Sequence, residues 1–157
     1  MGEEHIAVRK VQEALPDAIQ SIGTFRDETW IVVARERLLN VCKFLKEDPE
    51  LAFDFLSFVC GVDYYPSQPR FEVVYQLYST KHHHRFRVKT KVPEDDPKVP
   101  SVVTIWPTAD WHERETYDLF GIEFQGHPDL RRILLPADWV GHPLRKDYPL
   151  RGPERSS

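Results

Sequence analysis

The sequence reads as one mixed domain of helices and strands that ends in a tail suited to neither. Three observations lead there. Apolar residues recur at helical spacing over 3–15 and 36–46, whereas residues 71–79 and 85–92 alternate with a period of two. Prolines at 136, 143, 149 and 153 forbid a long helix or an interior strand beyond residue 135. The chain has 157 residues, 41% hydrophobic and 29% charged, enough for a real core in one domain.

In chain order, residues 3–15 carry Val8, Val11 and Leu15 on one side, and Pro16 closes that helix. Two β-rich runs follow, 18–22 and 29–34, around turn-like residues 23–28. Residues 36–46 place Leu38, Val41, Cys42 and Leu45 on one face, and Asp48-Pro49 ends the helix. Residues 53–64, rich in β-branched and aromatic side chains, read as a buried strand, and 65–69 (YPSQP) as a turn. The strands at 71–79 and 85–92 pair as a hairpin across 80–84. In the second of them Phe86, Val88, Thr90 and Val92 oppose Arg85, Arg87, Lys89 and Lys91. That basic row reads as a solvated outer sheet face or, failing that, as a contact for an acidic neighbour. Residues 93–100 read as a loop, and 101–106 fit either a strand or a helical turn capped by Ser101.

The stretch 110–135, DWHERETYDLFGIEFQGHPDLRRILL, organises the rest. Asp110 and Glu113 have the spacing of a capping box at a helix start, and Gly121 followed by Ile122 has the pattern of a C-cap. Between them Trp111, Arg114, Glu115 and Asp118 share one stripe. Glu113, Tyr117 and Phe120 share a second, and His112, Thr116 and Leu119 a third. Aromatic side chains on two stripes point to an enclosed helix, whose charges then need partners. It reads either as a surface helix with ordinary ion pairs or as an element docked on another subunit. The tail carries Leu135, Trp139, Val140, Leu144, Tyr148 and Leu150, too apolar for a linker, so it must lie against its own domain or a partner.

Several chemistries are excluded. No run is apolar for the length of a membrane span, and the acidic start fits neither a signal nor a transit peptide, which points to the cytosol. Cys42 and Cys60 lack CxxC spacing, so the chain has no self-contained zinc or iron–sulfur site, and reduced thiols are expected. His112-Glu113 is half of a zincin motif, but position 116 is Thr. His82-His83-His84 reads as a hairpin end, because alternate side chains of an extended run diverge. Glu113, Glu115 and Asp118 are candidate acid–base carboxylates, but Arg114 among them favours an ion-pair network. Net charge of −4 argues against nucleic acid. Residues 127–157 hold six Arg/Lys against four acids, so a +2 tail leaves −6 on the body.

One pattern is more specific. Glu113-Arg114-Glu115, Asp118-Leu119-Phe120, His127, Arg131 and Ile133-Leu134, at these spacings, resemble the signature of the 30 kDa subunit family of respiratory complex I, the C subunits of NADH-quinone oxidoreductase. Pro100-Ser101-Val102, Trp106-Pro107, the run from Gly141 to Pro149 and, more weakly, residues 61–64 resemble it as well. The resemblance implies an α+β domain at 1–126, a small mixed sheet with flanking helices, and an extended proline-rich C-terminal arm at 127–157 that packs on a partner subunit. It implies a non-catalytic structural subunit in the peripheral arm of a proton-translocating enzyme, on the cytoplasmic side of the cell membrane. The family's subunit docks to the large quinone-site (D) subunit beside the iron–sulfur (B and I) subunits. FMN and the iron–sulfur clusters belong to partner subunits, and quinone is the substrate of the complex. Carried over, Glu113, Arg114, Glu115, Asp118, His127, Arg131 and Arg132 become structural or interface residues, and Arg145, Lys146 and Asp147 anchor the arm. The sequence stops soon after Pro149, where many relatives extend further, and the quinone-site subunit is expected as a separate chain. The competing reading is the equivalent scaffold of a membrane-bound hydrogenase or of a dehydrogenase with another donor.

Overall fold

The computed structural model describes residues 5–128 and 141–145. Helix α1 (Ile6–Ala14) begins where His5 Nδ1 accepts from the Ala7 N–H at 3.0 Å, and it buries Ala7, Val8 and Val11. The first hairpin is tighter than the turn expected at 23–28. Strands β1 (Ile19–Phe25) and β2 (Glu28–Val33) are joined by Arg26 and Asp27 alone, with Arg26 at φ 56°. A two-residue connection with positive φ follows the natural twist of the strands, so they extend further toward it. After a 3₁₀ turn at Arg35–Arg37, helix α2 (Leu38–Glu47) buries Leu38, Val41, Cys42 and Leu45, the four residues its spacing selects.

Strands β3 (Phe55–Asp63), β4 (Phe71–Ser79) and β5 (His84–Val92) form an antiparallel meander. The five strands lie in the order β1-β2-β5-β4-β3, and β2 runs parallel to β5, with Trp30 opposite Arg87 and Val33 opposite Thr90. The sheet is therefore mixed, and the chain is an α+β protein. Strand β3 differs from the buried strand expected at 53–64. Among the described residues it pairs only with β4, at the edge of the sheet, and Phe55 is 48% exposed. Phe53 is buried but precedes the strand.

Residues 98–100, expected within a loop, form β6 (Lys98–Pro100), which pairs in parallel with β7 (Glu123–Gln125). The pairing places buried Val99 opposite buried Phe124, an apolar contact that a short polar-flanked segment conceals in sequence. Residues 101–106 take the helical-turn alternative. Val102 O accepts from the Ile105 and Trp106 N–H groups, and Ser101 Oγ accepts from the Val103 N–H. Helix α3 (Ala109–Phe120) follows.

One apolar cluster joins α1, α2 and α3 to a single face of the sheet, through Val11, Leu45, Ala109 and Phe120 among others. The basic row of β5 lies on the other face and is solvated only at its ends. Arg87 Nε donates to Gln76 at 3.0 Å, and Arg87 Nη2 lies 3.4 Å from Glu28, while Lys89 stands 4.2 Å over the Trp30 ring. Arg85 and Lys91 are exposed. Both cysteines are free thiols, Cys42 buried and Cys60 half-buried.

Candidate functional site

The residues that carry chemistry converge on α3, but not as the capping box expected of Asp110 and Glu113. The N-cap is Thr108, whose side chain makes no capping bond. The reason lies in the turn before it. Ala109 N–H already donates to Trp106 O at 2.9 Å and Asp110 N–H to Pro107 O at 3.2 Å, so fewer first-turn donors are left for a box. Glu113 is thereby released to turn inward.

Glu113 is fully buried. Its carboxyl oxygens accept from Ser101 Oγ at 2.5 Å and from the Val102 N–H at 2.8 Å. Two of the stretches singled out in sequence, 100–102 and 113–115, are thus parts of one contact. Burial outweighs the two donors and pushes the Glu113 carboxyl up to about 7. The Tyr75 hydroxyl, buried without a hydrogen-bond partner among the described residues, and the buried Cys42 thiol are both raised, first by burial and then by the charge on Glu113. Three polar groups are thus gathered inside the core.

Asp110 turns outward to two basic side chains. Its Oδ1 lies 3.1 Å from Arg114 Nε and 2.9 Å from Nε2 of His127, whose side chain is fully buried. Arg114 lies 5.8 Å from the centroid of the Trp111 ring, which is 51% exposed. Asp118 is fully buried, and Glu115 faces a groove beside β3.

At the far end Gly121 takes φ 78°, the left-handed cap its position predicts, and Ile122 behind it is buried. The last four carbonyls of a helix have no partner within it. Here Tyr117 O accepts from the Gly121 N–H, Asp118 O bonds His142 Nδ1 at 2.8 Å, and Leu119 O accepts from the Leu144 N–H. Phe120 O accepts from Arg145 Nε at 2.6 Å. Arg145 also stands 5.0 Å over the Phe71 ring, so a cation sits at the negative end of the helix. The run from Gly141 is therefore joined to α3 of its own chain as far as Arg145. Arg131, Arg132, Lys146 and Asp147 lie outside the described residues.

A buried ion pair had no signal in the pattern. Arg70, fully buried, makes two parallel 2.9 Å bonds to the Asp63 carboxylate, and its third nitrogen reaches Glu94 at 2.8 Å. Arg70 directly follows the turn at 65–69, and no local pattern marks it as a core residue. The turn itself holds cis peptide bonds before Pro66 and Pro69. The histidine run diverges as expected. His82 bonds Pro49 O, His84 bonds Leu51 O, and His83 bonds the Tyr78 hydroxyl. Among the described residues, no three His, Cys, Asp or Glu side chains are grouped to hold a metal ion. No described helix is long and apolar enough to cross a membrane.

Comparison with known proteins fits this geometry. The family described as "Respiratory-chain NADH dehydrogenase, 30 Kd subunit" matches residues 31–154. The chain is 52% identical to the C subunit of NADH-quinone oxidoreductase from Roseiflexus castenholzii, over 92% of this chain and 83% of that one. It is 49% identical to the corresponding C subunit of Geobacter sulfurreducens, over 99% and 95% of the two chains. Among solved structures, the trypsin-resistant fragment of Nqo5 superposes with a TM-score of 0.69 at 36% identity, covering 80% of this chain and all of that one. A chain of the membrane-bound sulfane sulfur reductase, an archaeal respiratory membrane complex, superposes with a TM-score of 0.72 at 25% identity, covering 91% and 84%. With the described signature residues in and around α3 and relatives matching along nearly its whole length, the chain belongs to the complex I 30 kDa subunit family, the C subunits of NADH-quinone oxidoreductase.

Proposed function

We propose that this chain is a non-catalytic structural subunit in the peripheral arm of a proton-translocating NADH-quinone oxidoreductase. It supports electron transfer from NADH to quinone by docking to the quinone-site (D) subunit. FMN and the iron–sulfur clusters belong to partner chains, with the iron–sulfur (B and I) subunits adjacent. Membrane association on the cytoplasmic side comes through the complex. The observation that carries this reading is how the α3 charges are used. Glu113 is consumed by Ser101 and Val102, Asp110 lies within ion-pair distance of Arg114 and His127, and the helix carbonyls are taken by His142, Leu144 and Arg145. Side chains committed in this way set the shape of a helix and present no reacting pair to a substrate. Arg114, Glu115, Asp118, His127, Arg131 and Arg132 then hold or border the interface, and Arg145, Lys146 and Asp147 anchor the arm.

The test is complementation of a strain lacking this subunit with the Arg114→Ala chain. The amount of assembled complex in membranes should fall, while NADH-quinone turnover and quinone KM per assembled complex stay unchanged. Normal assembly with lost turnover would overturn the reading. A second reading, a scaffold for a hydrogenase or another-donor complex, draws on the fold shared with the sulfane sulfur reductase chain. The higher identity to the C subunits of NADH-quinone oxidoreductase favours the first. Co-purification of an NADH-oxidising flavoprotein supports it, and a nickel-containing partner would select the second.

A further inference from the structure

Among the described residues β3 ends the sheet, and its outer edge opens into a groove of about 390 Å³. Four consecutive β3 residues, 58–61, line that groove. Consecutive side chains point to opposite faces, so only a strand's edge can line one cavity in this way. The opposite wall is a stripe of α3 that includes Glu115 and Leu119, and Leu144, 52% exposed, closes one side.

The backbone phase of the edge follows from the ladder. Tyr64 N–H donates to Arg70 O, and hydrogen-bonded pairs alternate along antiparallel strands. Residues 62, 60 and 58 therefore bond to β4, and the N–H and C=O groups of Val59 and Gly61 face the groove. A nine-residue edge reading FLSFVCGVD carries no lysine or proline to block pairing and no charge before Asp63. Among the described residues Glu115 has no hydrogen-bond or ionic partner, and neither lysine nor arginine lines the groove.

We infer that this groove takes an extended segment of a neighbouring subunit, which adds to β3 as a sixth strand. It bonds the Val59 and Gly61 backbone, packs apolar side chains on Leu119 and Leu144, and presents a Lys or Arg to Glu115. Backbone pairing supplies affinity and the alternating side chains supply selectivity, as in other strand-addition contacts. A second copy of this chain is the poorer occupant, because two-fold pairing would bring a second Glu115 and, among the described residues that line the groove, no lysine or arginine. This inference rests on the proposal that the chain is a subunit of a larger complex.

The experiment compares the membrane complex, purified through a tag on this chain, with the isolated full chain. Amide exchange of peptides spanning 57–62 should slow at least tenfold at Val59 and Gly61 in the complex. A photo-crosslinking residue at position 115 should join one contiguous segment of a single partner subunit, and Glu115→Lys should lower recovery of that subunit. Unchanged exchange at both amides, with the partners still co-purifying, overturns the strand addition and leaves the subunit assignment standing. A crosslink to a second copy of this chain overturns it too. Failure of the chain to co-purify with any NADH-quinone oxidoreductase component overturns both.

Discussion

Glu113→Gln isolates the charge of a buried carboxyl without removing its bonds. The amide oxygen can accept from the Val102 N–H, and the amide nitrogen can donate to Ser101 Oγ, which has lone pairs to spare. The magnitude follows from the shift. Glu113 rises from 4.5 to about 7 in the folded chain, so between those values the folded state binds a proton that the unfolded state has released. Stability from this group is fully present below pH 4.5 and is lost as pH rises through 7, with a slope of up to about 1.4 kcal/mol per pH unit. The total is on the order of 3 kcal/mol. Urea unfolding of both chains at half-unit steps from about pH 4.5 to 8.5, followed by far-UV circular dichroism, measures it. The wild-type minus Glu113→Gln difference should decline steadily and level off above about pH 7.5. At a slope of roughly 2 kcal/mol per molar urea, the relative midpoints should separate by about 1.5 M. A flat difference curve would show that Ser101 and Val102 hold the carboxylate ionised at an ordinary value, and the assignment of burial as the winning effect would fall.

Three other perturbations test the remaining framework. Arg70→Ala strands the buried Asp63 carboxylate and should cost about 3–5 kcal/mol, lowering Tm by roughly 10 °C in a scan; recovery with Arg70→Lys would argue against the bidentate geometry. Gly61→Ala would normally stabilise a strand by about 0.4–1 kcal/mol. The new Cβ would lie 2.9 Å from the Phe120 ring, so a net loss of about 1–3 kcal/mol is expected, and a gain in chemical denaturation would show that α3 yields. Burial and then His84 hold the His5 ring below its usual value, so its N-cap contribution is present above pH 6.5 and lost as pH falls below it. His5→Asp keeps an acceptor at that cap and should flatten this acid limb relative to wild type, seen as midpoints that no longer diverge between about pH 7 and 5.

Local pattern carried most of the elements and little of their arrangement. Leu38, Val41, Cys42 and Leu45 all point inward because helical spacing alone fixes a face, and Phe86 to Val92 alternate for the same kind of reason. Gly121 was legible because only a residue without a Cβ takes φ 78° cheaply. The elements misread or without a local signal depended on distant partners. The capping box failed because Trp106 and Pro107 had already supplied acceptors, a fact about the turn upstream. Val99 became a strand residue only through Phe124, and Arg70 a core residue only through Asp63. That Glu113 answers to Ser101, and Asp110 to His127, required the fold.

The parallel seam between β2 and β5 carries a consequence for how the chain acquires its structure. Both hairpins it joins close over a few residues, whereas Trp30 meets Arg87 and Thr90 Oγ1 reaches Val33 O across a long intervening stretch of chain. Closing that loop costs entropy before any contact returns it, so the seam should form after the hairpins and set the folding rate. Truncating Val33 should then speed unfolding more than it slows folding, with the reverse holding for Leu77 in the β4–β5 hairpin. Equal kinetic effects at the two sites would mean that the whole sheet condenses at once.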